Sequence, residues 1–286
     1  MMLSDPKSDV HPEHRSAIVT MVLDERYLRN WMGAPRSTWL PYADQHGFDI
    51  LVITKHLDES LEIWKQKCLV LSQPWSTRYE RIVWIDSDIL IRAGAPNILD
   101  GVPLEKVGAV ISGSQLSTSD RHIFLERTFN RQFLPRSTDP EEVERVFSAS
   151  QRYLYHAEGI KTDLDRSIQA GVLVFSPAHH RSLLEESYQF SGRENILLYE
   201  QSILSLLIIQ GGLLHELSTR FNWQLYLVCV VHEPSMFDRS KPTNWNIAIN
   251  LILTQLQNSY FLHFTGMNWL LDEIKGIVIP VADKKL

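Results

Sequence analysis

The sequence predicts an α/β fold, a mainly parallel central sheet flanked by helices in one domain, and three observations carry that expectation. Short apolar runs rich in β-branched residues recur at Ala17–Leu23, Asp49–Thr54, Arg81–Ile85, Val107–Ser112 and Gly171–Phe175, as strands covered on both faces require. Segments of helical character separate them, which is the rhythm of βαβ units. No Pro/Gly/Ser-rich linker and no repeat divides the 286 residues, a length that one large domain can hold.

Taken in order, residues 1–15 read as a polar, flexible tail without the apolar core of a signal peptide. The first strand, Ala17–Leu23, opens a half running from 16 to 112. Trp31 to His46 reads as a helix interrupted by Pro35 and Pro41, and Leu57–Leu71 as a helix with Leu61, Trp64 and Cys68 on one face. Residues 113–168 break the rhythm, carrying Arg121, Arg127, Arg131, Arg136, Arg145, Arg152 and Arg166 among many acids. They read as a helical insertion or lid. The half from 169 to 286 resumes with Gly171–Phe175. Helix Pro177–Gln189 follows, with proline in its first turn, then an apolar helix Tyr199–Gln210 ended by Gly211–Gly212. Leu213–Leu217, Tyr226–Val231 and Tyr260–Phe264 read as further strands.

Composition narrows the function. With 44% hydrophobic and 22% charged residues the chain can bury a sizeable core. A net charge of −6 argues against nucleic acid, which calls for a basic face. Cys68 and Cys229 lack partners in metal or disulfide spacing and read as small buried hydrophobes. The longest uncharged apolar run, Gln201–Leu214, is too short to span a bilayer, so the expectation is a cytoplasmic protein with no integral membrane segment. Of the tryptophans, Trp64 and Trp84 read as core, while Trp223 and Trp269 fall near the candidate site.

Chemistry concentrates in four places. The run YERIVWIDSD (79–88) ends a strand in Asp86-Ser87-Asp88. On an extended backbone positions i and i+2 share a face, so two carboxylates stand side by side where α/β sheets bind ligands. A divalent metal shared with phosphate oxygens suits such a pair; a cap and a solvated acid suit it too. The run YFLHFTG (260–266) ends in His263 and Gly266. His263 is either a third ligand, favouring Mn²⁺ over Mg²⁺, or a core histidine near a turn, and Gly266 admits close approach of a phosphate. Gln169-Ala170-Gly171 leaves room for a ligand or for tight packing. Glu200-Gln201 opens an apolar helix, where an acid also complements the dipole.

Together, TMVLDERY (20–27), YERIVWIDSDILI (79–91), QAGVLVF (169–175), EQSIL (200–204) and HFTGMNW (263–269) resemble retaining glycosyltransferases of the GT-A fold, particularly glycosyltransferase family 8, over about two-thirds of the chain. The resemblance implies a metal-dependent transfer of a hexose from a nucleotide sugar, with UDP favoured, to a hydroxyl of a carbohydrate, lipid or small molecule, with retention. It implies that Thr20, Leu23, Asp24 and Tyr27 hold base and ribose and that Arg81 touches the sugar nucleotide. Asp86, Asp88 and His263 would bind Mn²⁺ (or Mg²⁺), with Ser87 and Gly266 at the nucleotide and Ala170 and Gly171 beside the sugar. Gln201, Glu200 and Asp86 would form the catalytic group. Three departures stand out: Gln169 replaces the usual Asn, Glu200 the usual Asp, and the usual Lys after the glycine is missing from Gly266-Met-Asn-Trp269. Arg81, Arg220, Lys241 and Lys275 are the candidates to replace that lysine. A sugar nucleotidyltransferase would need a Gly-rich, Lys-bearing loop after the first strand, and Asp24-Glu-Arg-Tyr27 has no glycine; a binding protein that has lost catalysis is the other alternative.

Asp86→Asn or Asp88→Asn is expected to abolish metal-dependent binding of a nucleoside diphosphate. Unchanged affinity in a titration with Mn²⁺ would place the site elsewhere.

Overall fold

The structure is a computed structural model and describes residues 2–4, 14–60, 62–129, 134–190, 198–237 and 244–274. Its main sheet contains β1 (Met2–Ser4), β2 (Ser16–Met21), β3 (Phe48–Ile53), β4 (Arg81–Ile85), β6 (Val107–Ile111), β7 (Ile168–Phe175) and β8 (Leu214–Glu216). Their spatial order is β1-β3-β2-β4-β7-β6-β8. All pairings are parallel except those of β7, which runs against both β4 and β6. A smaller sheet sets β10 (Phe261–His263) between β5 (Ile89–Ile91) and β9 (Trp223–Gln224).

Every residue of β3, β4 and β7 is buried, because helices cover both faces of the sheet. Successive side chains point to opposite faces, so Ile18, Val83 and Val172 enter one core and Val19, Trp84 and Leu173 the other. The first core is closed by Trp31 of α1 (Glu25–Gly33) and Trp39 and Tyr42 of α2 (Pro35–His46). The second is closed by Val70 and Leu71 of a 3-10 segment (Ile63–Ser72), Leu183 and Leu184 of α5 (Pro177–Gln189), and Leu204 and Ile208 of α6 (Gln201–Gln210). A third core joins Leu90 and Leu262 of the small sheet to α7 (Leu225–His232), α8 (Trp245–Asn258) and α9 (Trp269–Glu273). Between β6 and β7 lie α3 (Thr118–Thr128) and α4 (Pro140–Ala157). The two ends of that excursion meet, the Ser112 amide donating to the Ser167 carbonyl at 2.8 Å. Both cysteines are buried. No helix among the described residues is long and apolar enough to cross a membrane.

Four sequence expectations change. Trp31–His46 becomes two helices: Asp24 caps α1 by accepting from the Tyr27 amide at 2.9 Å, and Pro35 opens α2. Of Leu57–Leu71, the part from Ile63 onward is helical, as a 3-10 segment, while Leu57–Ser60 form a turn and Leu61 lies outside the described residues. Tyr226–Val231 lies in helix α7 rather than a strand, since an apolar run buried on most sides shows no period to separate the two. Within the expected tail, Met2–Ser4 pair with β3.

What positions the site is the corner between the sheets. The chain leaves β4, turns through Asp86-Ser87-Asp88 and enters β5, which pairs antiparallel with β10 in the register His263↔Ile89. The Asp86 amide donates to the Gly171 carbonyl at 2.8 Å, and the Phe264 amide to the Asp88 carbonyl at 3.0 Å. Helix α2 holds the far side: Trp39 Nε1 donates to the Ile89 carbonyl at 2.7 Å, and Thr38 Oγ1 accepts from the Ile91 amide at 3.0 Å.

Trp39→Phe leaves the buried Ile89 carbonyl without its donor and opens a small void. Urea unfolding should show a loss of about 2–4 kcal/mol; a change under about 0.5 kcal/mol would mean α2 does not brace this corner.

Candidate functional site

A cavity of about 580 Å³ opens at this corner. Its walls come from the end of β2 and the cap of α1 (Met21, Leu23, Asp24, Tyr27), from Asp86, Ser87 and Asp88, and from Gln169, Ala170 and Gly171 of β7. Leu198 to Gln201, then His263, Thr265, Gly266 and Asn268, and the 3-10 residues Ile63, Trp64 and Lys67 complete it.

Asp86, Asp88 and His263 each offer one ligand atom, all within 4.8 Å of one another. His263 Nε2 stands 3.3 Å from Asp88 Oδ1 and 3.8 Å from Asp86 Oδ2. Its other nitrogen, Nδ1, lies 2.8 Å from Asn222 Oδ1. An amide oxygen can only accept, so Nδ1 carries a proton and Nε2 is the nitrogen turned toward the carboxylates, a donor to them when protonated and a ligand beside them when not. Three electron-rich atoms converge, and the donor set fits a divalent cation, with Asn222 orienting the imidazole.

Gly171 is what admits that imidazole. A Cβ there would fall 2.3 Å from His263 Cε1 and 3.2 Å from Asp86 Oδ2. The small residues of Gln169-Ala170-Gly171 thus serve close packing at position 171, while all three line the cavity. Gly266 has φ +68 with the nearest atom to a built Cβ at 3.9 Å, so its turn needs glycine and its cavity side is open.

As it missed Asn222, sequence reasoning missed Lys67. Its Nζ lies 2.5 Å from Glu200 Oε1, 2.9 Å from the Ala170 carbonyl and 3.3 Å from Asp86 Oδ1, and 5.0 Å over the Trp84 ring. The Trp84 indole also donates to Asp86 Oδ1 at 2.7 Å. Burial alone would raise the Asp86 carboxyl, but Lys67, His263 and the indole together hold it below the usual carboxylate range. Burial likewise pulls the Lys67 ammonium down, and the two carboxylates overcome this and hold it above the ordinary lysine value. Gln201 Oε1 accepts from the Ala170 amide at 3.2 Å. Gln169, where the resemblance expects Asn, is fixed in the wall: it donates to Ser112 Oγ and accepts from Gln224 Nε2, each at 2.8 Å.

The structure therefore brings Leu23, Asp24, Tyr27, Asp86, Ser87, Asp88, Ala170, Gly171, Glu200, Gln201, His263 and Gly266 to one cavity. Thr20 and Arg81 are not among the described residues lining it. Thr20 is wholly buried in β2. Arg81 sits at the opposite end of β4 from Asp86, its guanidinium donating to the Val102 carbonyl. Of the basic residues considered for the missing lysine, Arg220 is spent on the Asn258 carbonyl and the Tyr260 ring, and Lys241 and Lys275 lie outside the described residues. Trp84 belongs to the second core, as expected, and its ring also lines the cavity, as does the half-buried Trp64; Trp223 and Trp269, expected near the site, pack against the third core.

Lys67→Met leaves Asp86 and Glu200 without their ammonium partner and should cost about 3–5 kcal/mol at pH 7 in the metal-free protein. Because the folded Asp86 pKa is depressed, its contribution is present above the unfolded carboxylate value and is lost as pH falls through the folded value. The gap between wild type and variant should narrow below about pH 4 in denaturant titrations. A gap constant down to pH 2 would remove Asp86 from the account.

No family model matches the chain, and no curated protein matches it in sequence. Its structure is similar to that of a glycosyltransferase involved in glycosylating the major capsid of PBCV-1, at 11% identity over 92% of this chain and 99% of that one, TM-score 0.55. It is also similar to the apo structure of the bifunctional glycosyltransferase WbbM, at 13% identity over 90% of this chain and 47% of that one, TM-score 0.50. At such identities the likeness bears on architecture: the chain has the GT-A glycosyltransferase fold.

Proposed function

We propose that this protein is a metal-dependent glycosyltransferase that moves a hexose from a UDP-linked donor to a hydroxyl of a carbohydrate, lipid or small molecule, with retention at the anomeric carbon. The observation that carries the reading is the convergence of Asp86, Asp88 and His263 in the same cavity as Glu200 and Gln201. The fold shared with glycosyltransferases supports it.

Asp86, Asp88 and His263 would hold the ion, Mn²⁺ being favoured by the imidazole nitrogen over Mg²⁺. When bound, a divalent ion offsets the negative charge that grows on the nucleoside diphosphate as the anomeric C–O bond breaks. Leu23, Asp24 and Tyr27 flank the base and ribose, and the backbone at Gly266, free of a Cβ, comes up against the diphosphate. Ala170 and Gly171 border the sugar. Glu200, held by Lys67, and Gln201, held by the Ala170 amide, orient it beside the anomeric carbon. Fixing these groups before the donor arrives lowers the entropy lost in reaching a reactive geometry. The acceptor hydroxyl gives its proton to the departing phosphate oxygen on the same face.

Thermal unfolding with UDP, GDP and their sugars, with and without Mn²⁺, tests the reading. UDP or a UDP-hexose with Mn²⁺ should raise the midpoint, saturation at a hundred times Kd being worth about 2.7 kcal/mol, and UDP should be released slowly from the matching donor. Stabilisation by none of these ligands would end the proposal.

A further inference from the structure

Helix α4 closes on a residue that physical chemistry disfavours there. Glu158, at its C-terminal cap, is wholly buried. A carboxylate opposes the negative end of an 18-residue helix, and burying its charge costs further unless hydrogen bonds compensate. Its Oε1 accepts from the amide of Leu198 at 2.6 Å, 40 residues away in the chain.

The next residue, Tyr199, holds φ 55, the one positive φ outside glycine among the described residues. A bulky side chain rarely adopts this left-handed conformation, and structures that keep it over-determine it. Core packing is not what imposes it, since Tyr199 is 56% exposed. Its ring stands at the cavity wall, 6.5 Å from that of Trp64. One residue further, Glu200 is 8% exposed and meets Lys67. A contact thus holds the chain on each side of the strained residue: Glu158 takes the Leu198 amide before it, and Lys67 takes the Glu200 carboxylate after it.

We propose that Glu158 is a positioning residue for sugar transfer: its carboxylate anchors the backbone at Leu198, so that Tyr199 stays at the cavity mouth and Glu200 and Gln201 stay at the donor sugar. The role in transfer rests on the glycosyltransferase reading; the anchoring does not.

Glu158→Gln, Glu158→Asp and Glu158→Ala in the full chain separate reach from charge. The glutamine carbonyl reaches Leu198 as glutamate does, whereas aspartate keeps the charge and is one methylene short. Hydrogen exchange of peptides covering Leu198–Leu204 should quicken at least tenfold in the Asp and Ala variants and stay within threefold of wild type in the Gln variant. Hydrolysis of UDP-galactose or UDP-glucose with Mn²⁺ should lose at least tenfold in kcat in the Asp and Ala variants, with the UDP Kd within threefold and the Gln variant restoring turnover. If the Ala variant does not fold, the Asp and Gln pair decides. The proposal is overturned if Glu158→Asp matches wild type, if exchange quickens with kcat unchanged, or if UDP affinity falls as far as kcat. If the wild-type protein turns over neither donor, the role in transfer falls with the glycosyltransferase reading, and exchange alone still decides whether Glu158 anchors the segment.

Discussion

One ammonium group holds the site together. Lys67 reaches out of a 3-10 segment to the exit of β4 through Asp86, to β7 through the Ala170 carbonyl and to the start of α6 through Glu200. These pieces lie far apart in the chain, and without a cation between them Asp86 and Glu200 would be two acids drawn into a poorly solvated space. An ion pair with so little water repays its desolvation only when its geometry is satisfied on every side. Here two carboxylates, a carbonyl and an indole face supply that geometry.

The same corner sets a second electrostatic condition. Asn222 keeps a proton on Nδ1 of His263, so that Nε2 is the nitrogen turned toward Asp86 and Asp88. Lys67 relieves part of the negative charge from one side of Asp86; the space among Asp86, Asp88 and His263 is what remains for a second cation. Packing enforces the arrangement as firmly as charge does, because β7 must carry glycine at 171 for the imidazole to lie where it does. Polar and steric demands therefore coincide at one point of the sheet.

Much of this was legible in the sequence. Strands β2, β3, β4, β6 and β7 announced themselves because runs covered on both faces need unbroken apolar stretches, and the acids and histidine at strand ends followed from period-two geometry. Lys67 was not legible, since a lysine in a mixed segment reads as solvated and the tighter period of a 3-10 segment turns it inward. Asn222 was hidden for another reason: its role exists only because β9 pairs with β10 and brings residues 41 apart into contact. Arg81 shows the converse error, a basic residue that the resemblance put at the nucleotide but that lies at the end of β4 away from Asp86. The helix α7 was misread because uniform burial erases periodicity.

The hydrogen bond between Ser112 and Ser167 has a wider consequence. Since β6 and β7 are antiparallel neighbours, the whole stretch between them is a hairpin tip that has grown outward, entering and leaving the sheet at one spot. Such a graft can change in size and composition through evolution, or be exchanged by an engineer, without rethreading a single strand. It is not independent of the rest of the protein: Gln115 bonds to Gln224, Arg127 donates to the Val230 and Val231 carbonyls of α7, and Glu158 reaches back into the cavity wall. Any replacement must bring its own hand to grasp Leu198.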